Sequence, residues 1–108
     1  GVFTGPALVA GSRLGLEPVL WTCWGRDWTR RATPASVAST VIRGLSGGGT
    51  ILLHDSDVAA TPGSWRATVG ALPSVLDHCR AHGFAVGPLV DHDERAGSRL
   101  PDTDRVIG

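Results

Sequence analysis

The stretch Gly47-Gly48-Gly49-Thr50-Ile51-Leu52-Leu53-His54-Asp55 decides how the rest of the chain is read. Thr50 to Leu53 is a short, uninterrupted apolar run, the pattern of a strand buried on both faces in a parallel sheet. A glycine loop that cradles phosphate follows a strand and opens a helix. Here the glycines come first and open the strand, which argues against a nucleotide site. His54 and Asp55 fall at the carboxyl end of the strand, where parallel α/β folds carry their active sites. A histidine there is placed to move protons near neutral pH. The plainer alternative is a histidine that only hydrogen-bonds the next loop.

Outward from this strand, the chain alternates. Gly5 to Leu14 reads as a helix, with Pro6 at its first turn and Gly15 past its end. Val19-Leu20-Trp21-Thr22-Cys23-Trp24 reads as a strand rich in β-branched and aromatic residues. Thr33-Pro34 starts a second helix, Thr33 as N-cap, with Val37, Val41 and Leu45 on one face. Ser64 is the expected cap of a third helix. Its apolar stripe is Trp65, Val69, Leu72, Leu76 and Cys79, with Pro73 inside it and Gly83 closing it. Phe84 to Leu89 reads as a last short strand. The order α-β-α-β-α-β implies parallel βαβ units and an α/β fold. The three strands suit a slice of a doubly wound sheet or of a β/α barrel. Residues 90–108 are acidic and read as a loose tail.

Composition narrows the function classes. The chain has 108 residues, 42% hydrophobic and 19% charged, which is globular rather than disordered. Ten Arg balance ten acids, so the net charge of zero argues against a nucleic-acid partner. The halves differ only slightly, at +3 for residues 1–54 and −3 for residues 55–108. No run of about 18 apolar residues offers a membrane span, and no signal-peptide pattern appears. Met, Lys, Asn, Gln and Tyr are absent, a bias of composition rather than of function. Cys23 and Cys79 are too few for a disulfide framework.

Three further clusters can carry chemistry. Trp24-Gly25-Arg26-Asp27-Trp28 also lies at the carboxyl end of a strand. Asp27 can orient a histidine or bind a sugar hydroxyl, and Trp24 and Trp28 can form a wall for a sugar ring. Core aromatics beside a surface Arg–Asp pair are the plain alternative, but three tryptophans within eight residues favour a binding surface. His78 and His82 share a helix face, yet no Glu stands between them as zinc-protease helices require, so a polar helix end is the better reading. His92 among Asp91, Asp93 and Glu94 looks metal-like in composition and reads better as part of the solvated tail.

Taken together, several of these elements resemble the polysaccharide deacetylase family (carbohydrate esterase family four). They are Val19-Leu20-Trp21 leading to Asp27-Trp28, then Gly49 to Asp55, Leu72-Pro73-Ser74-Val75-Leu76-Asp77 and Gly83-Phe84. The resemblance runs over about residues 1–89. It implies a deformed barrel of about seven β/α units, of which this chain supplies the last three, incomplete as given. It implies a divalent metal, usually zinc, held by an Asp and two His, with metal-assisted hydrolysis of an N-acetyl group on a carbohydrate substrate. Carried onto this chain, His54 is the general acid and Leu52 lines the pocket for the acetyl methyl. Asp27 and Trp28 form the fourth motif, Trp28 in the groove wall, with Trp24 and Trp65 near the same groove.

The departures are specific. The fourth motif usually has a second acid three positions before the Asp-Trp acid, and Trp24 stands there. Either Asp27 serves the histidine, or the histidine is tuned otherwise, or activity is lost. The Thr-Phe-Asp-Asp, His-x-x-x-His and Arg-containing motifs are absent from these residues. The resemblance puts them upstream of Gly1, so the metal ligands are expected outside this chain and the upstream half of the domain is its expected partner. Residues 1–108 alone are then expected to expose an unpaired sheet edge and to release no acetate. A non-catalytic carbohydrate-binding relative, favoured by Trp24, is the rival reading. A stand-alone flavodoxin-like domain fits less well. Family members are often secreted or at the cell surface, but these residues leave localisation open.

Overall fold

In the computed structural model, residues 3–92 are described. The elements are α1 (Gly5–Arg13), β1 (Cys23–Trp24), α2 (Pro34–Gly44), β2 (Ile51–Leu52), α3 (Trp65–Ala81) and a short 3-10 turn at Leu89–Asp91. β1 and β2 pair in parallel, Cys23 against Ile51 and Trp24 against Leu52, with α2 as the crossover between them. The fold is therefore α/β, with a small two-stranded parallel sheet. No helix among the described residues is long and apolar enough to cross a membrane. The acidic tail expected over residues 90–108 lies outside the described residues from position 93 onward.

Local chemistry fixes the helix ends. Thr33 is extended and accepts the Ser36 amide N–H at 3.1 Å, while the Ser36 hydroxyl accepts the Thr33 N–H at 2.9 Å. This reciprocal box satisfies two otherwise unpaired donors. Gly15 and Gly83 follow α1 and α3 at φ +67° and +70°. At Gly83 the left-handed turn lets the Phe84 N–H reach the Cys79 carbonyl at 2.8 Å and the Gly83 N–H reach Arg80 at 3.2 Å, the two bonds of a Schellman stop. Ser64 does not cap α3 as expected. It already has helical dihedrals, φ −61° and ψ −27°, whereas a capping side chain needs an extended residue.

The strands are shorter than the apolar runs. The Thr50 N–H donates to Thr22 Oγ1 at 2.9 Å instead of to a backbone carbonyl, which ends the ladder ahead of Cys23. Residues 19–21 therefore stay outside β1. The expected strand over 84–89 is absent: Phe84 is committed to the stop of α3, and the chain then turns into the 3-10 segment. Among the described residues the sheet has two strands, not three. β2 is also half-buried rather than covered on both faces. Ile51 and Leu53 pack on the core, while Leu52 alternates to the opposite face with Trp24.

The core lies where α2 crosses α3: Val37, Ala38 and Val41 meet Ala67, Ala71, Val75 and Cys79, with Cys23 below them. This corrects the expected stripe of α3. Val75 is 2% exposed, but Leu72 is 39% exposed, and Trp65, Val69 and Leu76 face outward with it. Small residues win the buried face because the helices approach closely. A methyl group at Gly70 would sit 2.7 Å from Pro34 Cγ. A face of Trp, Val and Leu cannot reach that separation.

Candidate functional site

The site begins with Gly25, the residue after β1. A Cβ there would lie 2.7 Å from both Leu53 Cδ2 and Val37 Cγ1, so only glycine lets the strand end this close to the core. Arg26 follows in the left-handed region at φ +52°, a conformation that costs a side-chain-bearing residue about 1 kcal/mol. Its carbonyl accepts the Thr29 hydroxyl at 3.0 Å and the Thr29 N–H at 3.3 Å. This tight turn sends Asp27 inward. Asp27 is 1% exposed, although it is a carboxylate beside the surface.

Every lone-pair direction that Asp27 uses is matched by a donor. Oδ2 accepts the His54 backbone N–H at 2.7 Å and the Thr68 hydroxyl at 2.7 Å, and Oδ1 lies 2.8 Å from His54 Nδ1. Burial alone would push the carboxyl up. The bonds from the His54 backbone, the His54 ring, Thr68 and the Asp27 backbone outweigh it and hold the group below its ordinary value. Asp27 is thus a carboxylate, with acceptors only, so His54 Nδ1 carries the hydrogen of their bond. The other nitrogen, Nε2, is left for whatever approaches from outside, and the His54 side chain is 43% exposed.

An aromatic row leads to this pair. The Trp28 ring meets the His54 ring edge-on, at 5.5 Å between centroids and 71° between planes. Trp24 is 5.1 Å from Trp28, and Trp21 stacks on Trp24 at 6.1 Å and 22°. The Arg26 guanidinium lies 6.0 Å over Trp24. The structure therefore gathers Asp27, His54, Trp28 and Trp24, with Leu52 on the Trp24 face of the sheet two residues before His54. The Trp65 ring carries the Arg66 guanidinium at 4.8 Å, and among the described residues no aromatic contact joins it to the row.

One residue of this constellation escapes a reading of the sequence. Thr68 looks like a helix-interior threonine, and only its place on the small buried face of α3 signals that its hydroxyl needs a partner. Among the described residues the remaining titratable groups form no second centre. His78 and His82 stack on each other at 4.0 Å, with the His82 Nδ1 bonded to the His78 carbonyl at 2.9 Å. Cys23 and Cys79 are free and buried, and burial pushes the Cys23 thiol up. Among the described residues no three His, Cys, Asp or Glu side chains gather as a metal site requires. These residues therefore do not fit the divalent metal that the family resemblance implies.

Comparison with known proteins adds a relation. The chain is 31% identical over 94 residues to a chitooligosaccharide deacetylase of Sinorhizobium fredii (strain NBRC 101917 / NGR234). It is 30% identical over 98 residues to a chitooligosaccharide deacetylase of Bradyrhizobium sp. (strain ANU 289). Each match covers 82% of this chain and 43% of the relative, so the chain spans less than half the length of these curated relatives. The matches support a relation to the polysaccharide deacetylase family. No family model and no solved structure matches the chain.

Proposed function

We propose that this chain is the proton-donating part of a carbohydrate de-N-acetylase, acting on N-acetylated amino-sugar chains. The observation that carries the reading is the pairing of a buried carboxylate, Asp27, with a half-exposed histidine at the carboxyl ends of two adjacent parallel strands. Similarity to the chitooligosaccharide deacetylases supports it. In this reading Asp27 holds His54 in one tautomer and stabilises its imidazolium. Water adds to the acetamide carbonyl carbon; when the C–N bond then breaks, the imidazolium's Nε2 proton goes to the departing amine, and the acyl group leaves with the water oxygen as acetate. Trp28 and Trp24 offer apolar ring faces to the sugar, and Leu52 lies on the same side. Asp27 thereby takes the place of the acid that Trp24 replaces.

We further read the β-α-β unit as part of the deformed barrel that the family resemblance implies, completed by residues outside this chain. The metal belongs to that proposal for the longer protein, and no step is derived through it here. On this reading residues 1–108 by themselves release no acetate.

The test is acetate release from chitooligosaccharides by the intact gene product, wild type and His54→Ala. Loss of the acid should lower kcat by about 10²- to 10⁴-fold while oligosaccharide binding persists. Unchanged turnover in the variant sinks the role of His54. Binding without turnover in the wild type would instead establish the non-catalytic binding protein, the reading that the tryptophan row favours.

A further inference from the structure

We propose that Thr68 is a positioning residue for the Asp27–His54 pair. Its hydroxyl holds Asp27 in the one rotation that leaves Oδ1 for His54 Nδ1 and so keeps Nε2 facing outward. The inference rests on the reading of Asp27 and His54 as the working pair.

Three donors reach the Asp27 carboxylate from other residues, and two of them, the backbone N–H and the ring Nδ1–H, belong to His54. Thr68 supplies the third at 2.7 Å from α3, a separate element. Carboxylate rotation about its last torsion is soft. With His54 alone as partner, Asp27 is tied only to the residue it is meant to orient. Thr68 ties it to the helix core instead. Thr68 is 6% exposed and Asp27 1%, so water is poorly placed to replace the hydroxyl.

The hydroxyl's direction is itself informative. A helical threonine commonly bonds the carbonyl one turn back. Thr40 in α2 does so, donating to the Ser36 carbonyl at 2.8 Å. Thr68 donates to Asp27 instead. Among the described residues no second charged side chain comes within hydrogen-bond distance of this carboxylate. His54 faces it from the end of β2, and Thr68 faces it from α3.

The experiment is nuclear magnetic resonance of the intact protein labelled at Asp and His, as wild type, Thr68→Val and Thr68→Ser. In the wild type the neutral His54 ring should be a single Nδ1–H tautomer. In Thr68→Val the Asp27 carboxyl should titrate at higher pH, because its charged form has lost a donor, and the His54 ring should become a mixture of tautomers. Thr68→Ser keeps the donor and should restore both. A folded Thr68→Val with unchanged Asp27 titration and an unchanged tautomer overturns the proposal. Should that variant not fold, the wild type decides: a Thr68 hydroxyl proton that exchanges slowly at neutral pH supports the bond, and one in rapid exchange overturns it. None of these signals depends on turnover, so a protein that releases no acetate defeats the deacetylase reading and leaves this result legible.

Discussion

Asp27 grips His54 at two points at once: Oδ1 is 2.8 Å from the ring Nδ1, and Oδ2 accepts the backbone N–H of the same residue at 2.7 Å. Ring and main chain are thus fixed by one carboxylate that is itself shut away from solvent. The grip orients the imidazole about two axes, which a single hydrogen bond cannot do.

That carboxylate makes stability depend on acid. Its folded value lies below the ordinary one, so its contribution is complete above the unfolded value of about 3.9 and shrinks as pH falls from there through the folded value. Urea midpoints measured from pH 6 down to pH 3 should fall across that window in the wild type. Asp27→Asn should be less stable at pH 7 by about 1–3 kcal/mol, since its amide NH2 confronts a donor, and should lack this part of the acid dependence. Parallel pH profiles for the two proteins would contradict the assignment.

Gly25→Ala should destabilise by about 1–3 kcal/mol through overpacking, because the added methyl meets Leu53 and Val37 at 2.7 Å. Thermal unfolding measures this directly. A neutral result would mean that the end of β1 sits farther from α2 than described.

Thr33→Ala should cost about 1 kcal/mol by removing the cap of α2. Ser36→Ala removes the reciprocal half of the same box. The double variant should cost less than the sum of the two singles, because each bond depends on the other's geometry. Additive costs in denaturant titrations argue against the box.

The two faces of α3 should respond oppositely to their hydrophobicity. Val75→Ala opens the core and should cost about 2 kcal/mol. Leu72→Ala, although it removes the larger side chain, should stay within about 0.5 kcal/mol, as exposed substitutions do. A reversal of that order would restore the apolar stripe as the buried one.

That reversal marks where the sequence is legible and where it is not. Thr33-Pro34, Gly15 and Gly83 announce their roles because caps and left-handed stops depend on one or two residues. The meeting of Asp27 and His54 is legible because each follows a strand in a parallel pattern. The buried face of α3 is not, because side-chain hydrophobicity ranks Trp65 and Leu72 above Ala67 and Ala71, whereas the separation of α2 and α3 ranks them the other way. Thr68 is hidden by the same effect. The expected strand at 84–89 fails because apolar composition says nothing about whether a neighbour offers a ladder.

The two-residue ladder works as a vernier. Trp24 is aligned with Leu52, and Asp27 and His54 stand three and two residues beyond those marks. A slip of one residue would carry His54 about 3.3 Å along the strand direction, farther than the 2.8 Å that separates Nδ1 from Oδ1, and would turn its side chain to the other face. A misregistered chain would therefore have no dyad at all, so formation of the Asp27–His54 contact reports that β1 and β2 have met in register.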